Sequence, residues 1–366
     1  MIAVVIAVLV LLVLGVVENA VHQHMLKKIP LRILVNGTRG KTTVTRMTAS
    51  VLNAAGIHTY AKTTGSEARR ILPDGTEEAY RKHDFVTMME QLPFVRLAVK
   101  GKAQAIVVEC MAQRVENQRL MGEKLIRPHW VLMTNAYVDH VEEIGQTEEE
   151  TIHVLAQSIA EESKVIAHDE RLAAYTSQLI QPDEADDAQL YEQCSFPVHP
   201  ANVQLVKMLA AELGIAEEVV RKGILDTKPD IGMYKKFEAS GCTVWNAFAA
   251  NDPVSFAQTL QECAQRGKFR LLYNHRNDRS YRLEAFAQVI RKSEAKPQAI
   301  GIIGNDKDWC ARYLTRMTGV LASPVTDACE WLQQPYSAQQ VLCAGNIKGE
   351  GRMLLEKLME EAQKNV

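Results

Sequence analysis

The sequence predicts an α/β protein: two open, mostly parallel-sheet domains behind a single apolar N-terminal helix. Three observations predict it. The first 17 residues carry no charge and are almost all Val, Leu, Ile and Ala. Short apolar runs then alternate with longer, helix-prone polar stretches, the rhythm of a parallel sheet with crossover helices. A Pro- and Gly-bearing stretch, Lys228-Pro229-Asp230-Ile231-Gly232, divides those runs into two series. At 366 residues the chain is long for one core and suits two.

Taken in order, Met1 to Val17 would form a helix about 25 Å long. Extended to His22, with Glu18 near the edge, it is long enough to cross a bilayer. A signal peptide is the competing reading. It would want basic residues before the apolar run and a small-x-small cleavage site. No Lys or Arg precedes the run, and Glu18-Asn19-Ala20 is a poor site. Lys27, Lys28 and Arg32 follow, with His22 and His24 just before them. The positive-inside rule then keeps the long C-terminal part in the cytoplasm and the chain single-pass in the cell membrane.

A strand-like run, Leu31 to Val35, comes next. After a Gly-bearing turn, Val44, Met47, Val51, Leu52 and Ala55 recur at helical spacing and stop at Gly56. Further strand candidates are Ala105–Val108, Trp130–Met133 and Val165–Ala167. The second series offers Thr243–Trp245, Leu271–Tyr273, Ile300–Ile303 and Val341–Ala344. Helical patterns at Val254–Ala264 and Leu283–Arg291 lie between them. The expected division is an anchor over 1–22, a central α/β domain over 27–232 that carries the Gly-bearing turn, and a smaller, Rossmann-like C-terminal domain over 233–366.

Composition excludes some partners. Hydrophobic residues make up 47% and charged ones 23%, with a net charge of −2, so no global basic field draws the chain to nucleic acid. Seven cysteines are scattered without C-x-x-C or zinc spacing, as expected of buried free thiols in a reducing compartment. Glu148-Glu149-Glu150 reads as a solvated helix face.

The strongest local signal is Asn36-Gly37-Thr38-Arg39-Gly40-Lys41-Thr42-Thr43 between a strand and an amphipathic helix. The glycines let the backbone curl so that successive N–H groups face one anion, and the helix adds its positive end. Lys41 would reach the β/γ-phosphates of ATP, and Thr42 would place its hydroxyl on Mg²⁺. The full Walker pattern wants Gly where Val35 stands, and an ordinary tight turn is the plain alternative. Glu109 closes the strand Ala105–Val108 at the edge where open sheets bind ligands. Thr134-Asn135 ends the next strand, and Asp139-His140, Glu142 and Gly145 follow. Hard oxygen donors with one imidazole would make a divalent-metal set of Thr42, Glu109 and His140, a helix N-terminal Glu109 and a structural His140 being the plain alternatives.

These motifs together resemble the Mur ligase family of ATP-dependent amide-bond ligases. Asn202 looks like the family's adenine-contacting asparagine. Lys235 stands where the family has a phosphate-binding arginine, keeping the charge but losing the planar fork. The segment Asn246-Ala247-Phe248-Ala249-Ala250-Asn251-Asp252-Pro253 resembles the opening of the family's C-terminal domain. Within that family the chain is most similar to the CapB/PgsB subunits of poly-γ-glutamate synthases. The similarity rests on Lys62-Thr63-Thr64-Gly65, Glu109-Cys110-Met111-Ala112, Asn274-His275-Arg276-Asn277-Asp278-Arg279 and Gly345-Asn346-Ile347-Lys348-Gly349, with the anchor followed at once by the ATPase domain.

The resemblance implies that ATP and Mg²⁺ activate a carboxylate as an acyl phosphate, which an amine then attacks, releasing phosphate. Lys41, Glu109 and His140 would carry this, with Gly37 to Thr43, Asn202 and Lys235 around the nucleotide. Thr63, Thr64, Arg69, Arg276 and Arg279 are candidates for the substrate, glutamate joined to poly-γ-glutamate. An arginine cluster suits carboxylates through bidentate bonds, and solvated loops with ion pairs are the plain alternative. Cys110 reads as packing, since this route needs no nucleophile. The family's lysine that anchors a second metal has no counterpart between Asp139 and Ser163. Implied partners are membrane lipid, a CapC/PgsC-like membrane subunit and a CapA/PgsA-like subunit. The rival from another class is a membrane-bound P-loop ATPase that energises export and makes no bond.

Overall fold

A computed structural model describes residues 2–65, 68–80, 87–138, 143–183, 187–239, 241–250, 253–336 and 339–364. The chain divides into two compact units, Met1–Pro229 and Asp230–Val366. The first opens with helix α1 (Ile2–Leu26), whose most apolar 18 residues have a mean hydropathy of 2.8 and are wholly exposed. At 25 residues it is about 37 Å long, enough to cross a membrane. The helix runs on to Leu26, past His22, because its last turn has a core to bury against. His22 and Leu26 are buried. His22 Nε2 lies 2.8 Å from the Leu125 carbonyl, and Gln23 Nε2 donates to the Lys124 carbonyl at 2.8 Å.

Eight strands form the first sheet: β1 (Leu31–Asn36), β2 (Thr59–Thr63), β3 (Arg69–Ile71), β4 (Glu77–Ala79), β5 (Ala105–Glu109), β6 (Trp130–Met133), β7 (Lys164–Ala167) and β8 (Leu179–Ile180). Their order is β4-β3-β2-β5-β1-β6-β7-β8. All neighbours are parallel except the β2-β3-β4 meander at one edge. Central β1 pairs with β5 on one side and β6 on the other. The chain leaves β1 toward β2 and later returns to the opposite side. The carboxyl ends of β1, β5 and β6 therefore border the crevice where open α/β sheets take ligands.

Side-chain alternation fills both faces. Ile33 and Val35 meet Val44, Met47 and Val51 of α2 (Lys41–Ala54) and Val203 and Val206 of the helix Pro200–Glu212. Leu34, Val108 and Val131 turn the other way. There they join Phe94, Val95 and Ala98 of α3 (Gln91–Lys100) and Ile152 and Leu155 of the helix Glu148–Ala156. Burial on both faces explains why these strands read as unbroken apolar runs.

The second unit holds a six-stranded sheet of β9 (Lys235–Ala239), β10 (Cys242–Asn246), β11 (Phe269–His275), β12 (Ile300–Gly304), β13 (Ala322–Pro324) and β14 (Gln340–Gly345), in the order β13-β12-β11-β14-β10-β9. Only β9 is antiparallel to its neighbour. Leu271, Tyr273, Ile302 and Leu342 pack under Phe256, Phe286 and Ile290 on one face. Leu272, Ile303, Val341 and Cys343 pack under Trp331, Leu355 and Leu358 on the other.

Every apolar run read as a strand is one, and the two-sheet α/β class holds. Strands β2, β3, β4, β8, β9 and β13 were not anticipated. All seven cysteines are free, though Cys194 and Cys329 are only half-buried. Glu148, Glu149 and Glu150 are exposed, and Arg171 pairs with the first two at 2.9 and 3.3 Å.

Candidate active site

The turn from β1 into α2 needs glycine at two places. Gly37 has φ +128, and a Cβ there would stand 2.1 Å from Thr134 Oγ1. Gly40 has φ +83, and a Cβ there would stand 2.6 Å from Asn202 Nδ2. Loop 37–40 is thus wedged between the end of β6 and the helix Pro200–Glu212, which brings Asn202 to the P-loop backbone. Lys41 Nζ curls over the loop, donating to the Gly37 carbonyl at 2.6 Å and the Thr38 carbonyl at 3.0 Å.

Asn135 clamps this loop. Its Oδ1 accepts from Thr38 Oγ1 at 2.6 Å and from the Arg39 amide at 3.0 Å, and its Nδ2 donates to the Arg39 carbonyl at 3.0 Å. A second brace lies beneath. Asn36 Oδ1 accepts from the Gly37 amide at 2.8 Å, while its Nδ2 donates to Gln118 Oε1 at 2.8 Å and Ser158 Oγ at 2.9 Å. Gln118 Nε2 donates to the Ala112 carbonyl at 2.9 Å. Asn36 and Gln118 are almost fully buried. Buried amides in apolar surroundings must be hydrogen-bonded, so this network fixes the loop relative to the segment after β5. Neither brace was anticipated. The available signal was an amide side chain inside an apolar run, at Asn36 and again at Thr134-Asn135.

Glu109 ends β5 beside Val35 of β1 and is 3% exposed. Its carboxylate accepts from Thr42 Oγ1 at 3.1 Å and from the Thr64 amide at 2.7 Å. Burial pushes the carboxyl above its usual range, while Lys41, Thr64 and Thr42 pull the other way. Gly65 is pressed against Thr42, where a Cβ would lie 2.4 Å from Oγ1. Thr42, Thr64 and Glu109 therefore converge where the P-loop opens. The Thr42 hydroxyl and the Glu109 carboxylate are hard oxygens that fit a small divalent cation such as Mg²⁺, with the Thr64 amide holding the carboxylate in place. His140 lies outside the described residues, as do Asp139, Glu142, Asn251 and Asp252. Cys110 is buried, its thiol pushed up to about 11 by desolvation, and it faces Gln118 Oε1 at 3.4 Å. That environment holds a packing thiol, not a thiolate nucleophile.

The substrate candidates divide between the units. In the first, Thr63 is fully buried, with its hydroxyl unpartnered among the described residues, and sits opposite Arg69 across β2 and β3. Arg69 lies 3.9 Å from Glu77, which also takes a bidentate grip from Arg46. Lys164 starts β7, at the sheet edge opposite the P-loop, paired with Glu212 at 3.3 Å. In the second unit, Lys235 opens β9, exposed and 5.6 Å from the Phe237 ring centroid. Arg276 follows β11 and pairs with Asp278 at 2.6 Å, and Arg279 closes the turn Asn277–Arg279.

The carboxyl edge of this second sheet is also braced. Asn274 Nδ2 donates to the Lys348 carbonyl at 2.8 Å and also to that of Asn346, and Arg282 Nη1 donates to Asn346 Oδ1 at 2.8 Å. Lys307 pairs with Glu350 there at 2.8 Å.

A P-loop α/β unit with a buried carboxylate beside its threonine, followed by a second parallel-sheet unit, is the architecture of ATP-dependent amide-bond ligases. Residues 35–197 match the family model described as Mur ligase middle domain, and residues 231–361 that of the poly-gamma-glutamate synthase CapB C-terminal domain. Two curated relatives match nearly the whole chain. PGA synthase CapB of Bacillus subtilis (strain 168) is 28% identical, covering 97% of this chain and 97% of its own length. Capsule biosynthesis protein CapB of Bacillus anthracis is 27% identical over 96% of this chain and 81% of its own length. Among solved structures, E. coli FolC in complex with ADP superposes with a TM-score of 0.67 at 16% identity, covering 94% of this chain and 93% of that one. The two family models together span most of the chain, which is similar to the CapB proteins and is an ATP-dependent carboxylate–amine ligase.

Proposed function

We propose that this ligase lengthens poly-γ-glutamate at the membrane. ATP would transfer its γ-phosphoryl group to a γ-carboxylate, giving an acyl phosphate and ADP. The amine of the second reactant would then attack the acyl carbon, form the amide and expel phosphate. Phosphoryl transfer demands positioning and charge neutralisation more than covalent help. The curled loop 37–40 and the N-terminal amides of α2 would hold the phosphates, with Lys41 swinging from the loop carbonyls to the β/γ-oxygens. Thr42 and Glu109, with His140 in the expected set, would hold Mg²⁺, which would supply charge neutralisation for the phosphates. Asn202, seated against Gly40, would steady the adenosine side, and Lys235 would add a cation to the phosphates. Thr63, Thr64 and Arg69 near the P-loop, and Arg276 and Arg279 beyond β11, would take glutamate carboxylates.

The observation that carries this reading is the convergence of Thr42, Thr64 and Glu109 at the P-loop, in a chain whose second unit matches the CapB C-terminal domain. Helix α1 would tether the site beside a CapC/PgsC-like membrane subunit able to receive the polymer, with a CapA/PgsA-like subunit as a further partner. The test is ADP and phosphate release from ATP–Mg²⁺ by the purified chain with its membrane partner, across a panel of amino acids. Release that rises with glutamate alone and disappears in Lys41→Ala is expected. Turnover indifferent to every amino acid would overturn the proposal in favour of an export ATPase, and AMP as product would overturn the acyl phosphate route.

A further inference from the structure

The docked end of α1 is ringed by exposed cations that the reaction does not use. Lys27 and Lys28 follow the helix directly. Arg127 Nη1 reaches Gln23 Oε1 at 3.4 Å, and the Lys124 carbonyl accepts from Gln23 Nε2. Arg96 of α3 meets Glu18 at 3.2 Å, and Lys100 stands one turn further along the same helix. The six side chains are all exposed. Among the described residues, carboxylates also border them: Glu18 is engaged by Arg96, Glu123 lies 3.9 Å from Arg119, and Glu162 acts on His129, which accepts from the Arg32 amide. Among the described residues, no carboxylate lies within ion-pair distance of Lys27, Lys28, Lys100, Lys124 or Arg127. The chain as a whole carries a net charge of −2, so this ring is a local departure and not a sample of the average surface.

Its position is fixed by Arg32, the second residue of β1. That guanidinium donates to the carbonyls of Leu26 and Ile29 at 3.0 Å each, of Ile126 at 3.1 Å and of Arg127 at 2.9 Å. The ring therefore lies at the amino-end edge of the first sheet, opposite the carboxyl ends that carry the P-loop. The same end joins the exposed apolar stretch of α1 to the domain.

We propose that this ring is a seat for anionic phospholipid headgroups, holding the amino-end edge of the first sheet against the bilayer. The proposal rests on the reading that α1 crosses the membrane. Its occupant follows from two features together. A cluster of Lys and Arg directly beside a membrane-crossing helix is attracted by an anionic leaflet within a Debye length. The apolar helix that emerges from the cluster would bring those headgroups to it.

The experiment uses the full chain in nanodiscs of phosphatidylcholine, with or without phosphatidylglycerol. Amide exchange is followed over residues 96–104 and 121–128. Several-fold slower exchange in the phosphatidylglycerol discs is expected. The difference should vanish in the variant Lys27→Gln, Lys28→Gln, Lys124→Gln, Arg127→Gln, with its thermal transition unchanged. Equal exchange in the two discs would overturn the proposal, as would a difference that survives in the variant. Protection reproduced in phosphatidylcholine discs by added poly-γ-glutamate would also overturn it, making the ring a polyanion site. Resistance to alkaline carbonate extraction is read separately. Its loss would overturn the spanning reading itself, and the headgroup seat with it.

Discussion

At the scale of single residues, the nucleotide loop tolerates little because its neighbours leave no space. Gly37→Ala forces a methyl group onto Thr134 Oγ1 at a backbone angle that L-residues avoid. The expected result is loss of ATP binding by at least about tenfold, a shift of roughly 1.4 kcal/mol, measured with a fluorescent nucleotide. Gln118→Leu tests the brace beneath. It leaves the Asn36 amide without one of its acceptors in a dry site, which costs about 1–3 kcal/mol. Denaturant unfolding of the first unit should show that loss, and KM for ATP should rise more than kcat falls. An unchanged KM would mean that the network is scaffolding without influence on the loop. These residues also mark the limit of sequence reading. Gly37, Gly40, Lys41 and Thr42 announce themselves by spacing. Asn36, Asn135 and Gln118 do not, because an amide's value lies in what faces it after folding.

A third residue gives a pH dependence. His275 ends β11 almost fully buried, its Nδ1 without a hydrogen-bond partner among the described residues, and burial holds its pKa below the ordinary 6.5. The unfolded chain therefore binds a proton at this site at a higher pH than the folded one. Stability is fully present above about 6.5 and falls as pH drops below it toward the folded value. His275→Gln should flatten the slope of stability between pH 6.5 and 5 (roughly, from that ordinary value), measured by denaturant midpoints of the second unit. An identical slope in wild type and variant would remove His275 as its source.

At the scale of elements, legibility follows burial. Strands β5, β6, β11 and β14 are covered on both faces, so each holds an unbroken apolar run, Ala105–Val108, Trp130–Met133, Leu271–Tyr273 and Val341–Ala344, that is visible in the sequence. Strand β2 is equally buried, yet its sequence Thr59-Tyr60-Ala61-Lys62-Thr63 hides it. Lys62 is fully buried because Glu90 meets it at 3.1 Å from a distant part of the chain. A pairing of that kind cannot be read locally. Strand β9 is concealed for the opposite reason. It is an edge strand whose exposed positions carry Lys235, Lys236 and Glu238, which suit a boundary and not a run. The end of α1 was also longer than its apolar stretch implied, since Leu26 and Ile29 belong to the domain core and Arg32 gathers four carbonyls around them. Arg32→Ala should loosen this joint. The expected outcome is faster trypsin cleavage after Lys27 and Lys28, with the rest of the first unit unaffected.

At the scale of the whole molecule, each unit has its own sheet covered on both faces by its own helices. In the second unit those cores are anchored by a buried cation that has no acidic partner among the described residues. Arg270 is 1% exposed on β11 and donates to the carbonyls of Trp331 at 2.8 Å and Leu332 at 2.9 Å. Its guanidinium also lies 4.5 Å from the Trp331 ring and 4.6 Å from that of Tyr336. A planar cation between two aromatic rings can bond the last carbonyls of the helix Ala328–Gln333 while staying dry. With both faces of its sheet filled, a chain of residues 230–366 contains everything its core needs. It should therefore fold alone, with one cooperative thermal transition and native-like dispersion of its amide spectrum. Arg270→Met should lower that transition, because the two carbonyls lose their donor while the apolar volume is kept. Non-cooperative melting of the isolated unit would show that its two cores need the first unit to close. A transition unmoved by Arg270→Met would show that the rings and the helix hold β11 without the cation.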